Sequence, residues 1–413
     1  MTLAPVDLND TATFAGGIPH DAFAEMRSTD GLAWTPADER VGRGFWSVTR
    51  SEDLVTVSRD TETYSSAVGH IQIYDIDADA LDARASMIDL DPPIHTRLRR
   101  LVSAAFTPRH VENYRLDARR RVGEALDSAT GAGSVDWVST VAAPIPIGVI
   151  CDILGVPEAD HRYLIELSDH LVAGTGNEPL EPSAYGNTTA LRLLPFNSPA
   201  ASAMAAYALD LADERRRSPA DDLMTKLIEA EIDGERLTDD EIANFFRLMV
   251  FAGNETTRTA MAHVALQVAD HPDAFDAVER DRSLLPNLVE EVIRYSSPIL
   301  YFRRTVTEKT ELSGTELAPG DKVVMWYAAA NFDPAAFDDP LAFRSDRPSI
   351  PAHHAFGGGG AHFCLGASLA RLEIGELIAA LFERGIRFGA IGAPDYVESN
   401  FVNGIESLPV TCR

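Results

Sequence analysis

The chain has 413 residues and a formal net charge of −27, with 45% hydrophobic and 24% charged residues. That balance excludes a disordered chain and allows a large buried core. The acidic excess argues against a nucleic-acid partner, because it would repel phosphates over a Debye length.

No apolar stretch reaches the roughly 18 uncharged residues of a membrane span, and the first thirty residues lack a basic start followed by an apolar run. Cys151, Cys364 and Cys412 are too few for a disulfide framework and fit no zinc spacing. A cytoplasmic location is expected.

Up to about residue 50 the sequence is turn-rich, and Phe45 to Thr49 alternates as a half-buried strand. From Pro92 to about residue 270 the signals are mainly helical. Within that region Arg97, Arg99, Arg100, Arg109, Arg115, Arg119, Arg120 and Arg121 form a basic stretch that could be a solvated helix face or a docking site for an acidic protein. Thr238 followed by Asp239, Asp240 and Glu241 predicts a helix N-terminus, opening a long helix over 238–270.

Between Leu300 and Asp321 short β-branched runs alternate with Ser313-Gly314 and Pro319-Gly320 turns. A last helix starts near Ala367. No repeat or low-complexity linker divides the chain. The reading is one mainly α domain, 1–413, with β-rich portions at about 30–60 and 300–325.

Two segments carry chemistry. In FGGGGAHFCLGA, Phe356 to Ala367, four glycines precede Cys364 just before a helix, where the helix dipole and free amides favour a thiolate, a soft metal ligand. No Lys-Ser or Lys-Thr follows, so the glycines are not a phosphate loop. In the long helix an apolar run gives way to AGNETTR, residues 252–258, where a buried acid and threonines need a reason. Glu255 and Thr256 point about 100° apart and can both border one cavity.

FGGGGAHFCLG resembles the haem-binding signature of the cytochrome P450 family, and the likeness runs from about residue 45 to the C-terminus with its motifs in order. It implies the P450 fold, with haem b buried between the long central helix and the cysteine-loop helix. Cys364 becomes the axial iron ligand. Phe356 lies eight residues before it instead of the usual seven, a longer glycine form found in some actinobacterial members.

By the same resemblance Thr256 hydrogen-bonds iron-bound oxygen and Glu255 delivers protons. His95, Arg99, Arg304 and His362 hold the haem propionates, while Ala252, Gly253, Phe356 and Gly360 border the cofactor. Glu291 and Arg294 form a structural pair, with Asp346-Arg347-Pro348 as a candidate source of the third charged partner. Val250, Ala252, Ile299, Leu300, Tyr301 and Phe302 would contact substrate, together with segments 65–90 and 170–215, and Ala184 to Ala200 would form a mobile entrance. Phe332 and Lys309 depart from the family's usual arginine and aspartate.

The implied activity is a monooxygenase: one atom of O2 enters a C–H bond of an apolar small molecule, such as a steroid side chain, terpenoid or branched lipid. No G-x-G-x-x-G signature appears, so ferredoxin and ferredoxin reductase would supply electrons to a monomeric enzyme, with the segment 97–121 as the docking face. Other readings are tailoring oxidation or desaturation of another natural product, peroxide-driven oxidation, and a non-catalytic haem sensor or carrier. A magnesium-dependent prenyl-diphosphate enzyme would use Asp239-Asp240-Glu241 and Asp338-Asp339, although capping and turn roles explain those clusters more simply.

Overall fold

The computed structural model describes residues 2–37, 42–75, 86–173, 199–347 and 353–413. Six helices position the site: α1 Ser51–Arg59, α2 Ile94–Ser103, α3 Arg115–Ala129, α4 Asp239–Asp270, α5 Leu285–Ser296 and α6 Ala367–Glu383. Strands from the two β-rich regions join in one sheet of β1 Thr2–Leu3, β2 Ala33–Thr35, β3 Phe45–Val48, β4 Tyr64–Ser65, β5 Tyr301–Val306 and β6 Lys322–Trp326, ordered β1-β2-β3-β6-β5-β4, while Thr310–Leu312 and Thr315–Leu317 pair as a separate hairpin and Ser51–Arg59 is helical. The join is parallel, with Val324 of β6 opposite Ser47 of β3. All five residues of β6 are buried, as expected of a central strand covered on both faces.

Helix α4 starts where the sequence places it. Thr238 and Glu241 form a reciprocal capping box, which satisfies two otherwise unpaired amide donors. Over its 32 residues α4 extends about 48 Å and packs against α5, α6 and the helix Pro144–Leu154. The Trp137 indole donates to Met261 O at 3.0 Å and pins the C-terminal half of α4. One buried apolar cluster draws residues from Leu8 to Cys412. No helix among the described residues is long and apolar enough to cross a membrane.

Glu291 and Arg294 on α5 are fully buried. Glu291 accepts two bonds from Arg294, both at 2.8 Å, one from Arg347 Nε at 2.9 Å and one from the Arg344 amide at 2.8 Å. Arg294 also donates to Asn331 O and Pro340 O. Phe332 lies under the Arg294 guanidinium, 5.1 Å from ring centroid to Cζ, so the aromatic side chain at this position stacks on the buried cation. Lys309 pairs with exposed Glu316 across a hairpin.

Its neighbour Glu290 ties α5 to α6 and the cysteine loop. Arg371 Nη2 donates to it at 2.9 Å, and His353 Nε2 lies 3.2 Å away. Burial opposes ionisation of Glu290, but His353 and Arg371 outweigh it and hold the carboxyl down at about 2. Glu291 is likewise held below the ordinary range, since Arg294 and Arg347 overcome the cost of burial.

Glu291→Gln leaves two buried guanidiniums without an anion and should cost about 3–5 kcal/mol, read as a lower thermal midpoint. Both glutamates are depressed in the folded state, so their stabilisation is complete above the ordinary glutamate value of about 4.3 and is lost as pH falls through the folded values. Thermal unfolding between pH 5 and pH 3 should show that loss, with a smaller slope in Glu291→Gln.

Candidate active site

The loop before α6 needs glycine for two separate reasons. Gly357, Gly359 and Gly360 have φ of +93°, +90° and +77°, a region costly for residues with a Cβ. A Cβ on Gly358 would also lie 2.7 Å from Leu54 Cδ2, and one on Gly360 would lie 2.8 Å from Ser58 O. The loop is pressed onto α1, where the Ser58 hydroxyl donates to Gly359 O at 2.9 Å. Arg371 stacks on Phe356 at 4.5 Å, and the Cys364 amide donates to Phe356 O at 3.0 Å.

Cys364 opens into a cavity of about 220 Å³, lined mostly by apolar side chains from α4, α6, β5 and the segment before α2. Burial pushes its thiol above the ordinary value, although the Gly366 and Ala367 amides and the Arg99 and Arg371 guanidiniums all act in the opposite direction. The sequence led us to expect a favoured thiolate. The donors are present, but desolvation exceeds them, so a stable thiolate here needs a further cation such as a bound metal.

Above the loop, His95, Arg99, Arg304 and His362 converge. The two imidazoles stack at 4.2 Å, and Arg99 Nη2 donates to Phe363 O at 2.6 Å. Buried atoms His95 Nδ1 and Arg304 Nε have no hydrogen-bond partner. Burial and the neighbouring guanidiniums push His95 down to about 4 and His362 to about 2. Orphaned buried donors and crowded positive charge call for an anion. A soft thiol, an apolar slot and a nest of carboxylate-seeking donors together fit haem, with its iron and two propionates.

On the opposing helix, Ala252, Gly253, Glu255 and Thr256 line the same cavity. A Cβ on Gly253 would lie 2.5 Å from Ile150 Cδ1, so glycine permits the helix contact there. The Thr256 hydroxyl donates to Ala252 O at 2.7 Å, a bond back to the preceding turn. Glu255 is buried, with Arg258 Nη1 at 3.6 Å.

Of the predicted substrate contacts, Ala252, Ile299 and Phe302 line the cavity, joined by Ile71, Met87 and Ile88 from segment 65–90. Val250, Leu300 and Tyr301 do not. Two helical positions turn Val250 by about 200° from Ala252, and strand alternation sends Tyr301 away from Phe302 to meet Trp326 at 4.9 Å. Gly360 and Arg304 do not themselves line the cavity, although Arg304 acts on cavity-lining His362. Ala184 to Ala200 falls almost wholly outside the described residues.

Sequence reasoning missed Glu373 on α6. It lines the cavity, its Oε2 has no partner, and burial pushes its carboxyl well above the ordinary range. Its helical spacing from Leu369 and Leu372 was the available signal.

The basic stretch is largely neutralised within the fold. Arg97 pairs with Glu241, Arg115 and Arg119 with Glu376, and Arg120 and Arg121 with Asp152. Arg109 is exposed and makes no ion pair among the described residues. The acidic clusters weighed as magnesium ligands serve other ends: Asp239 pairs with Arg216, and Glu241 closes the helix cap. Among the described residues no group of three or more His, Cys, Asp or Glu side chains could hold a metal ion.

The family model for cytochrome P450 matches residues 199–384. A methyl-branched lipid omega-hydroxylase of Mycobacterium tuberculosis (strain CDC 1551 / Oshkosh) is 40% identical over 398 residues, covering 94% of this chain and 90% of that protein. A steroid C26-monooxygenase of Rhodococcus jostii (strain RHA1) is 36% identical, covering 98% and 84%. A Mycobacterium marinum cytochrome P450 in complex with pseudoionone superposes with a TM-score of 0.88 at 36% identity, covering 100% of this chain and 99% of that one. The chain therefore belongs to the cytochrome P450 family, and is a haem b monooxygenase that acts on apolar substrates.

Proposed function

We propose that this enzyme hydroxylates the end of an extended, methyl-branched apolar chain, as on a branched lipid or a steroid side chain. The observation that carries the reading is one largely apolar cavity bordered by Cys364 and by the Glu255–Thr256 pair. The names of the methyl-branched lipid omega-hydroxylase and the steroid C26-monooxygenase support the substrate class. The Glu255–Thr256 pair favours turnover over a non-catalytic haem sensor or carrier.

Haem bound by Cys364 supplies O2 activation and the oxidising power for C–H cleavage. His95, Arg99, Arg304 and His362 hold its carboxylates. Ile71, Met87, Ile299 and Phe302 orient the apolar substrate and exclude water. The Thr256 hydroxyl stands ready to exchange its bond to Ala252 O for one to a reacting oxygen, and Glu255 holds the proton it passes inward.

Electrons come from a ferredoxin and its reductase; the docking face narrows within the basic stretch to Arg109 and gains exposed Arg59 at the end of α1. Arg59 borders Gly359 and Gly360, and the turn Pro108–Val111 packs against α6. The chain acts as a monomer and as a single unit, the latter in keeping with a main apolar cluster that draws residues from Leu8 to Cys412. A cytoplasmic setting suits its three unpaired cysteines.

With a ferredoxin system and a methyl-branched fatty acid or a cholestane-type steroid, the product should gain one oxygen at the chain terminus. No oxidised product from either class, despite normal haem loading, would contradict the substrate assignment. Thr256→Ala should keep substrate binding but divert reducing equivalents to peroxide, lowering product per NADH roughly tenfold. Arg109→Glu should raise KM for ferredoxin and flatten its salt dependence, leaving the spin-state response to substrate unchanged.

A further inference from the structure

Behind the site, α4 carries an unusual row of side chains. Glu255, Thr259, His263 and Gln267 are spaced four apart, so they form one ridge of the helix with neighbouring Cβ atoms about 5–6 Å from each other. All four are buried, at 3%, 1%, 7% and 3% exposure. A buried helix face of four consecutive polar side chains is costly unless each finds partners. Here three atoms find none: Thr259 Oγ1, Gln267 Nε2 and Gln267 Oε1. Thr259 makes no bond back to the preceding turn, in contrast to Thr256.

The segment Tyr396–Gly404 covers the ridge. A Cβ on Gly404 would lie 3.4 Å from Glu255 Oε1, so the active-site acid points at this cover. His263 Nε2 lies 3.1 Å from Asn403 O and its ring centroid 6.3 Å from that of Tyr396. Burial pushes His263 down to about 4, so its ring is neutral near pH 7 and, with Nε2–H donated to Asn403 O, Nδ1 is an acceptor. Asp270, one turn beyond Gln267, is exposed and acts on Tyr396. The ridge thus runs about 18 Å from the cavity wall towards the solvent-exposed end of α4.

We propose that Thr259, His263 and Gln267 hold a file of water molecules that carries protons from solvent near Asp270 and Tyr396 to Glu255. Buried polar atoms without protein partners are where ordered water resides, and a threonine, an imidazole acceptor and an amide offer successive anchoring points. Thr259, His263 and Gln267 are positioning residues acting through Glu255. The balance is simple: RH, O2, two electrons from the donor and two protons give ROH and H2O, and the file supplies the protons. The proposal rests on the monooxygenase reading.

The test uses the haem-loaded full chain and the variants Thr259→Val and Gln267→Leu, with Thr259→Ser as the conservative control. Crystals of wild type at a resolution that resolves waters should show ordered solvent between Glu255 and Gln267, interrupted in Thr259→Val and kept in Thr259→Ser. Turnover driven by NADH and O2 should fall roughly tenfold in Val and Leu, with a larger solvent isotope effect and more peroxide released, and should recover in Ser. Turnover driven by added hydrogen peroxide, which brings its own two protons, should stay near wild type.

A dry ridge in wild type, undiminished O2-driven turnover in the variants, or an equal loss by both routes would overturn the proposal. Failure of wild type to oxidise substrate by either route would instead strike the monooxygenase reading, while the crystallographic result would still decide the water file.

Discussion

A sulfur anion enclosed by protein is unstable without positive charge or donors around it, and much of this structure arranges that environment for Cys364. The Gly366 and Ala367 amides and the Arg99 and Arg371 guanidiniums all favour the thiolate, yet burial still pushes the thiol up. The shortfall is what a metal cation bound at Cys364 would make good. Arg371 also stacks on Phe356 and bonds Glu290, so the charge that favours the thiolate also fixes the loop that carries it.

The same logic extends outward through α5. Adjacent carboxylates serve different partners: Glu290 faces the cysteine loop and α6, while Glu291 gathers Arg294, Arg347 and the Arg344 amide. Arg294 then bonds backbone carbonyls of Asn331 and Pro340. Buried ion pairs contribute little net stability compared with apolar packing, but losing one member is expensive. Such a network therefore enforces one arrangement of the segment that carries Cys364.

Much of the site was legible because its residues break local rules. Four glycines before a cysteine, and an acid with two threonines inside an apolar helix, are features that secondary structure alone does not require. The Thr238 cap and the start of α6 at Ala367 followed directly from residue type. The parallel pairing of Phe45–Val48 with Lys322–Trp326 was not legible, since strands some 275 residues apart carry no local signal of register. Val250, Leu300 and Tyr301 were placed at the cavity by neighbourhood in sequence, whereas helical rotation turns Val250 away and strand alternation turns Tyr301 away, and Leu300, just before β5, does not line it either. Neutralisation of the arginine stretch also needed the fold, because Glu376 and Asp152 lie on other helices. The buried ridge went unread, because an i, i+4 row of polar residues looks the same on a hydrated buried face as on a solvent-exposed one.

The central claim is that Cys364 holds haem iron as a thiolate. The most direct measurement is the absorption spectrum of the dithionite-reduced protein under carbon monoxide, beside that of Cys364→Ser. The account predicts a strongly red-shifted Soret band in the wild type and its loss in the variant, with the fold retained. A well-folded wild type that takes up no haem, or a red-shifted band that survives the substitution, would contradict it.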